Sequence, residues 1–420
     1  MRNINYTLVV CLLSLSLHAQ QQDMLDVKIG QMLMIGFPKA EVDPLVLEEV
    51  RAGKVGAVIL FEKNIPKSNS AFTALKKMIW TYQKASSIPL IVAIDQEGGK
   101  VNRLKEKYGF TRSITAQEMG KASTLDSVRF YAESTASTLA GLGFNVNFAP
   151  VVDLSVSKEN AVIYKVGRSF GKNADSVSMM AEEFIKPHRK FGVITVLKHF
   201  PGHGSSLADT HLGVADVTKT WTETELVPYK WMIGTGSVDA IMSAHIVNKN
   251  LDPRGYPGTL SSRMIDSLLR KQMHYDGVVF SDDMQMQAIA KEYGLEEAIK
   301  LAINAGVDIL CFSNNIQGSE ERTVDKVHSI IRALVEKGEI KQERIDESFN
   351  RILKLKSRIG FTAEEYLRRD LDATRRELME LKNSVETKPE SKEIKDANPT
   401  TVDPAATPEE DTKKKKKKKS

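Results

Sequence analysis

Val193-Ile194-Thr195-Val196-Leu197 runs straight into Lys198-His199-Phe200-Pro201-Gly202-His203-Gly204, and Asp209-Thr210-His211 follows shortly after. The first five residues are an apolar, β-type run. Two glycines and a proline then break regular structure, so a lysine, three histidines and an aspartate fall on a loop at a strand's end. In an α/β scaffold that is where chemistry is placed.

The same pattern recurs along the chain. Further apolar runs cover Met32 to Phe37, Val55 to Phe61, Leu90 to Ile94 and Phe144 to Val152, then Ala240 to His245, Gly277 to Phe280 and Val307 to Phe312. Their interiors are rich in Val, Ile, Leu and Phe with little alternation, as expected of parallel strands covered on both faces. Amphipathic segments separate them, among them Ser70 to Lys84, Ser127 to Gly141, Asp175 to Lys190 and Leu295 to Ala305. Eight strands alternating with helices predict an α/β fold of the (β/α)8 TIM-barrel type. A doubly wound open sheet is the alternative. Arg322 to Glu336 and Arg344 to Ser357 read as closing helices.

The chain has 420 residues, of which 41% are hydrophobic and 27% charged, an ordinary globular composition. Its net charge is +5, but Lys413 to Lys419 carry seven of the positives, and subtracting them leaves the rest at −2. The body is therefore not a basic nucleic-acid binder. Arg2, the apolar stretch Leu8 to Leu17 and the small Ala19 read as a signal peptide over 1–19. A membrane anchor is the rival reading, but the stretch is shorter than the ~20 residues that span a bilayer. Cys11 has no small residues before it, which argues against a lipoprotein cysteine. After cleavage only Cys311 would remain, and no internal disulfide would form. The expected location is outside the cytoplasm, periplasmic or secreted to the cell surface. The barrel is expected over 24–362, a charged helical extension over 363–384, and a disordered Lys-rich tail over 385–420, where Pro, Thr, Glu and Lys dominate.

Polar residues cluster after each central run. Asp95-Gln96-Glu97-Gly98-Gly99-Lys100-Val101-Asn102-Arg103 follows the third. Asp153 and Gly167-Arg168-Ser169-Phe170 follow the fourth, His245 the sixth, and Ser281-Asp282-Asp283-Met284 the seventh. Barrel closure would bring all of them to one mouth. Asp282 leaves its strand after one serine and suits attack on an electrophilic carbon or a hold on a metal. Capping of the next helix, near Met286, is the structural alternative, and Asp283 is better placed for that. Asp209 and His211, one residue apart, allow a carboxylate to orient an imidazole that donates and retakes a proton. A solvated loop pair is the alternative. Lys198, His199, Asp95, Arg103 and Arg168 together suit a polyhydroxylated ligand, although any one of them alone could be a structural ion pair.

Together these residues resemble glycoside hydrolase family 3, specifically its β-N-acetylglucosaminidase branch. The resemblance covers roughly Asp26 to Gly360. It rests on KHFPGHGSSLADTH (198–211), DQEGGKVNR (95–103), GRSFG (167–171) and FSDDM (280–284). It implies a retaining exo-glycosidase that forms a covalent glycosyl-enzyme intermediate and needs no cofactor. By the resemblance Asp282 is the nucleophile, and His211 is the general acid/base assisted by Asp209. Asp95, Arg103, Arg168, Lys198 and His199 correspond to positions that bind an N-acetylglucosamine unit. The implied substrate is a GlcNAc-terminated glycan or muropeptide. Lys100 stands where arginine is frequent in the family, and the stretch Val162 to Arg168 is longer than the usual spacing.

Three rival functions share these residues. A metal-dependent hydrolase could use His199, His203, Asp209, His211 and His245, but their spacing is not distinctive. His203 reads better as a brace for the glycine loop. A phosphorylase could exploit the histidine acid/base, which repels phosphate less than a glutamate does. A non-catalytic glycan binder held to an anionic envelope surface by the lysine tail is the third.

Overall fold

The computed structural model describes residues 24–68, 70–121, 124–207, 213–315 and 323–359. The chain divides into two units, Met1–Asp370 and Leu371–Ser420, and every described residue lies in the first. The segments read as signal peptide, charged extension and tail lie outside the described residues, as do Asp209 and His211.

The strands in chain order are β1 (Leu33–Ile35), β2 (Ala57–Leu60), β3 (Ile91–Ile94), β4 (Val146–Asn147), β5 (Ile194–Phe200), β6 (Ala215–Asp216), β7 (Ala240–Ser243), β8 (Ile246–Val247), β9 (Val278–Asp283) and β10 (Ile309–Phe312). Eight of them close a parallel barrel in the order β1, β2, β3, β4, β5, β7, β9, β10. All eight apolar runs read from the sequence supply one barrel strand each, so the barrel holds and the open sheet does not. The pair β6 and β8 forms a separate two-stranded parallel sheet.

The helices are α1 (24–31), α2 (Pro44–Arg51), α3 (Ala71–Ala85), α4 (Ala116–Lys121), α5 (Leu125–Leu142) and α6 (Ala174–Lys190). They continue with α7 (Val227–Gly234), α8 (Gln287–Tyr293), α9 (Leu295–Ala305), α10 (Val324–Glu336) and α11 (Gln342–Lys356). In α6, Val177, Ala181, Phe184, Ile185 and His188 recur at helical spacing and are all buried. Asn173 caps its start by accepting the Ser176 N–H at 2.8 Å. His188, Arg189 and Lys190 end it, where positive charge suits the helix dipole. Truncating a buried aromatic such as Phe184 to alanine would cost about 3–5 kcal/mol.

One expected strand is shorter than read. Phe144 to Val152 was expected to run as one strand, but the ladder covers only Val146–Asn147. Pro150 has no N–H to donate, so beyond Asn147 the segment pairs only locally, as where Val152 N–H bonds the Lys198 carbonyl at 2.9 Å.

Buried charge also sits where strands begin. Asp308, just before β10, is fully buried and takes Arg270 at 2.6 Å, Arg344 at 2.9 Å and Arg351 at 3.5 Å. Asp239, just before β7, takes Arg189 at 2.8 Å and Arg358 at 2.7 Å. Burial alone would raise both carboxyls, but the arginines hold them below the ordinary range. These clusters lie at the N-terminal face of the barrel and stabilise its closure; the chemistry-bearing loops leave from the other end.

Candidate active site

The loop after β3 is locked before any charge is placed on it. Gln96 donates its N–H to Asn147 Oδ1 at 3.0 Å, and its side-chain oxygen accepts the N–H groups of Arg103 and Leu104 at 3.0 and 3.1 Å. Its amide nitrogen reaches Asn102 at 2.6 Å. Asn147 in turn meets His188 Nε2 at 3.1 Å, while His188 Nδ1 faces the Phe184 carbonyl at 2.9 Å. A carbonyl only accepts, so His188 carries its proton on Nδ1 and accepts from Asn147 at Nε2. Burial lowers this histidine to about 4, which keeps it neutral.

With Gln96 turned into the scaffold, its neighbours Asp95 and Glu97 share a charge cluster. Lys198, at the end of β5, lies 2.8 Å from Asp95 Oδ1 and 2.7 Å from Glu97 Oε1. Arg103 Nη2 reaches Asp95 Oδ2 at 3.3 Å. Arg168 grips both oxygens of Glu97 at 2.8 Å, the planar fork meeting the planar carboxylate. Burial works to raise both carboxyls, yet Arg168 and Lys198 hold Glu97 at about 2, and Lys198 and Arg103 hold Asp95 below the ordinary range.

Arg168 also donates to His199 Nε2 at 3.2 Å, and His199 Nδ1 lies 2.6 Å from Asp153 Oδ2. A guanidinium cannot accept, so Nε2 accepts and Nδ1 carries the proton to Asp153. Asp153 Oδ1 accepts the N–H groups of His199 and His203, at 3.1 and 2.7 Å. The result is one chain of contacts from Arg103 through Asp95, Lys198, Glu97, Arg168 and His199 to Asp153. All five expected ligand-binding residues fall within it. Glu97 and Asp153 were not singled out from the sequence for roles of their own. The signal for Glu97 was its place two residues from Asp95; that for Asp153 was its exit from an apolar run.

At the end of β9, Asp282 is half-buried, and its Oδ1 accepts the Asp283 N–H at 2.8 Å. Asp283 does not cap the following helix, which has no side-chain cap. Its carboxyl is occupied instead by the Gln285 N–H at 3.1 Å and by the N–H and hydroxyl of Ser313, after β10. His245 Nε2 donates to the Asp283 carbonyl at 2.9 Å, so β7 and β10 both fix the turn that presents Asp282. The Cys311 thiol is pushed well up, first by burial and then by Asp283, Asp282 and Asp95, and in the closed parallel barrel the C-terminal ends of β3, β5 and β9 face one mouth. Asp153 holds the His203 backbone N–H at 2.7 Å, and the His203 ring packs edge-on against His199 with its Nδ1 buried and without a hydrogen bond. Among the described residues, no three of His, Cys, Asp and Glu converge on a position that could hold a metal.

Residues 24–355 match the model of the glycosyl hydrolase family 3 N-terminal domain. The chain belongs to glycosyl hydrolase family 3. It is a glycosidase. A β-hexosaminidase of Tolumonas auensis is 35% identical over 290 residues, 68% of this chain and 84% of its own length. That of Haemophilus ducreyi is 34% identical over 295 residues, 68% of this chain and 82% of its own. Among solved structures, a family 3 β-N-acetylglucosaminidase from Paenibacillus sp. superposes with a TM-score of 0.74 at 34% identity, over 80% of this chain and 64% of that one. A β-N-acetylhexosaminidase from Beutenbergia cavernae gives 0.71 at 28% identity, over 79% of this chain and 98% of its own.

Proposed function

We propose that this glycosidase is a retaining exo-β-N-acetylglucosaminidase. The observation that carries the reading is the placement, at the C-terminal end of the parallel barrel, of Asp282 on β9 and the buried Asp95–Lys198–Glu97–Arg168–His199 cluster carried by β5 and the loops after β3 and β4. The β-hexosaminidase and β-N-acetylglucosaminidase names of its relatives support it.

On this reading the cluster fixes the sugar's hydroxyl and acetamido groups, and preorganised charge costs no rearrangement during reaction. Asp282 attacks the anomeric carbon as the aglycone oxygen leaves, forming a covalent ester. His211, oriented by Asp209, protonates that oxygen and then deprotonates the water that cleaves the ester. Histidine avoids the repulsion that a second carboxylate would feel beside Asp282. The substrates are GlcNAc-terminated peptidoglycan fragments or related glycans met after export, and the lysine tail adds salt-sensitive attraction to anionic envelope polymers.

Incubation with a 5-fluoro N-acetylglucosaminyl donor, then peptide mapping, tests the mechanism. The label should sit on Asp282, and NMR of the first-formed sugar should show the β anomer. A label on another carboxylate, or an α product, would overturn it. Sugar 1-phosphate as the dominant product in phosphate buffer would replace hydrolysis by phosphorolysis.

A further inference from the structure

The loop from Pro201 to Ser206 leads into the segment that carries Asp209 and His211, and it is gripped at one peptide from two sides. Glu225, in the short turn Glu223–Leu226 before α7, accepts the Gly204 N–H at 2.8 Å. Asn160, in the loop after β4, donates to the Gly204 carbonyl at 3.1 Å and to the His203 carbonyl at 2.8 Å. Asn160 is itself fixed, because its side-chain oxygen accepts the N–H groups of Val162 and Ile163 at 3.0 and 2.7 Å. Both side chains are buried, Asn160 at 0% and Glu225 at 2% exposure.

The backbone packs closely against both of its neighbours. Gly202 has φ +118°, and a Cβ there would lie 2.5 Å from Glu225 Cβ; one on Gly204 would lie 1.9 Å from the Leu154 carbonyl oxygen. Trp221 Nε1 donates to the Pro201 carbonyl at 3.2 Å.

We infer that Glu225 and Asn160 are positioning residues for proton transfer: by holding both ends of the Gly204 peptide they fix the direction in which the chain departs toward Asp209 and His211. This rests on the reading of His211 as the acid/base. A misplacement of about 1 Å in a catalytic group is worth about 100-fold in rate. Glu225 Oε1 is buried without a hydrogen bond. Burial raises its carboxyl to about 7; contact with Ser205 opposes this and Asp153 adds to it. A buried group so costly to ionise, spent on the loop at Gly204 and Ser205, is explained by the position it imposes.

The test compares Glu225→Ala, Glu225→Gln, Asn160→Ala and His211→Ala on two β-GlcNAc glycosides, one with a dinitrophenyl and one with an alkyl leaving group, at pH 6. His211→Ala should slow only the alkyl glycoside. Glu225→Ala and Asn160→Ala should reproduce this more weakly: kcat on the alkyl glycoside falls about 10- to 100-fold with KM held, and the activated glycoside changes less than about 3-fold. Glu225→Gln keeps a side-chain oxygen for Gly204 and should restore the alkyl rate to within about 3-fold of wild type. Equal losses on both glycosides, no loss on either, or a Glu225→Gln enzyme as slow as Glu225→Ala would overturn the inference. Should Glu225→Ala not fold, Asn160→Ala decides by the same criteria. A His211→Ala enzyme indifferent to the leaving group removes the acid/base reading and the clamp with it. A sensitive His211→Ala with insensitive clamp variants removes the clamp alone.

Discussion

Lys198 and Glu97, 101 residues apart in the sequence, meet at 2.7 Å with side chains only 2% and 5% exposed. Each ion is out of water, and each has a second partner: Asp95 for the lysine, Arg168 for the carboxylate. Removing one member leaves the others charged, buried and short of a counter-ion, which costs more than the pair contributes.

Glu97→Gln should therefore destabilise the protein by about 3 kcal/mol, because Arg168 and Lys198 keep their charge after losing the carboxylate that pairs with both. Urea denaturation at pH 7 measures this. Activity should fall through KM as well as kcat, since Arg168 and His199 lose their shared orientation.

The two aspartates that end β9 should separate cleanly. Asp282→Asn should reduce turnover of a chromogenic β-GlcNAc substrate by at least about 1,000-fold with an unchanged melting curve. Asp283→Ala leaves the buried Ser313 N–H and hydroxyl without their acceptor and should cost about 1–3 kcal/mol. Its kcat loss should be smaller than that of Asp282→Asn, and thermal melts read beside kinetics distinguish the two. An active Asp282→Asn enzyme would remove that residue from the chemistry.

Glu225 gives stability a particular slope against pH. Its carboxyl stands at about 7 in the fold against an ordinary 4.5, so the folded state holds the proton more tightly. That stabilisation is complete below pH 4.5 and is lost as pH rises through 7. Glu225→Gln should gain on the wild type by about 3 kcal/mol between pH 4 and 8. His203 and His188 slope the other way. Burial lowers each to about 4 from 6.5, so their stabilisation is present above pH 6.5 and disappears as pH falls through 4. Urea midpoints across pH 4–8 should resolve the opposed slopes.

Lys356 offers a second pH signature, far from the candidate site. Its ammonium is fully buried against Gln31 Oε1 at 2.6 Å and the Gly56 carbonyl at 2.8 Å, and burial lowers it to about 7 from 10.5. The folded state thus favours the neutral amine, and the stabilisation grows as pH climbs from 7 toward 10.5. Lys356→Met should fall behind the wild type progressively over that range, by a few kcal/mol at its top. A difference that stays flat with pH would show that the amine keeps its proton throughout.

The sequence by itself determined the barrel. Apolar runs without alternation, spaced by amphipathic segments, admit few arrangements, because each rule acts over a handful of neighbouring residues. It also showed which loops bear reactive groups, since each follows its strand directly. The truncation of β4 was legible in retrospect, because Pro150 stands in the run. The tertiary structure alone decided the pairings. Glu97 sits between Lys198 and Arg168, His199 between Arg168 and Asp153, and Asp283 holds Ser313 rather than a helix N-terminus. No local pattern encodes these contacts, because barrel closure brings together residues that are 30 to 101 positions apart, and burial then compels each charge to find its partner.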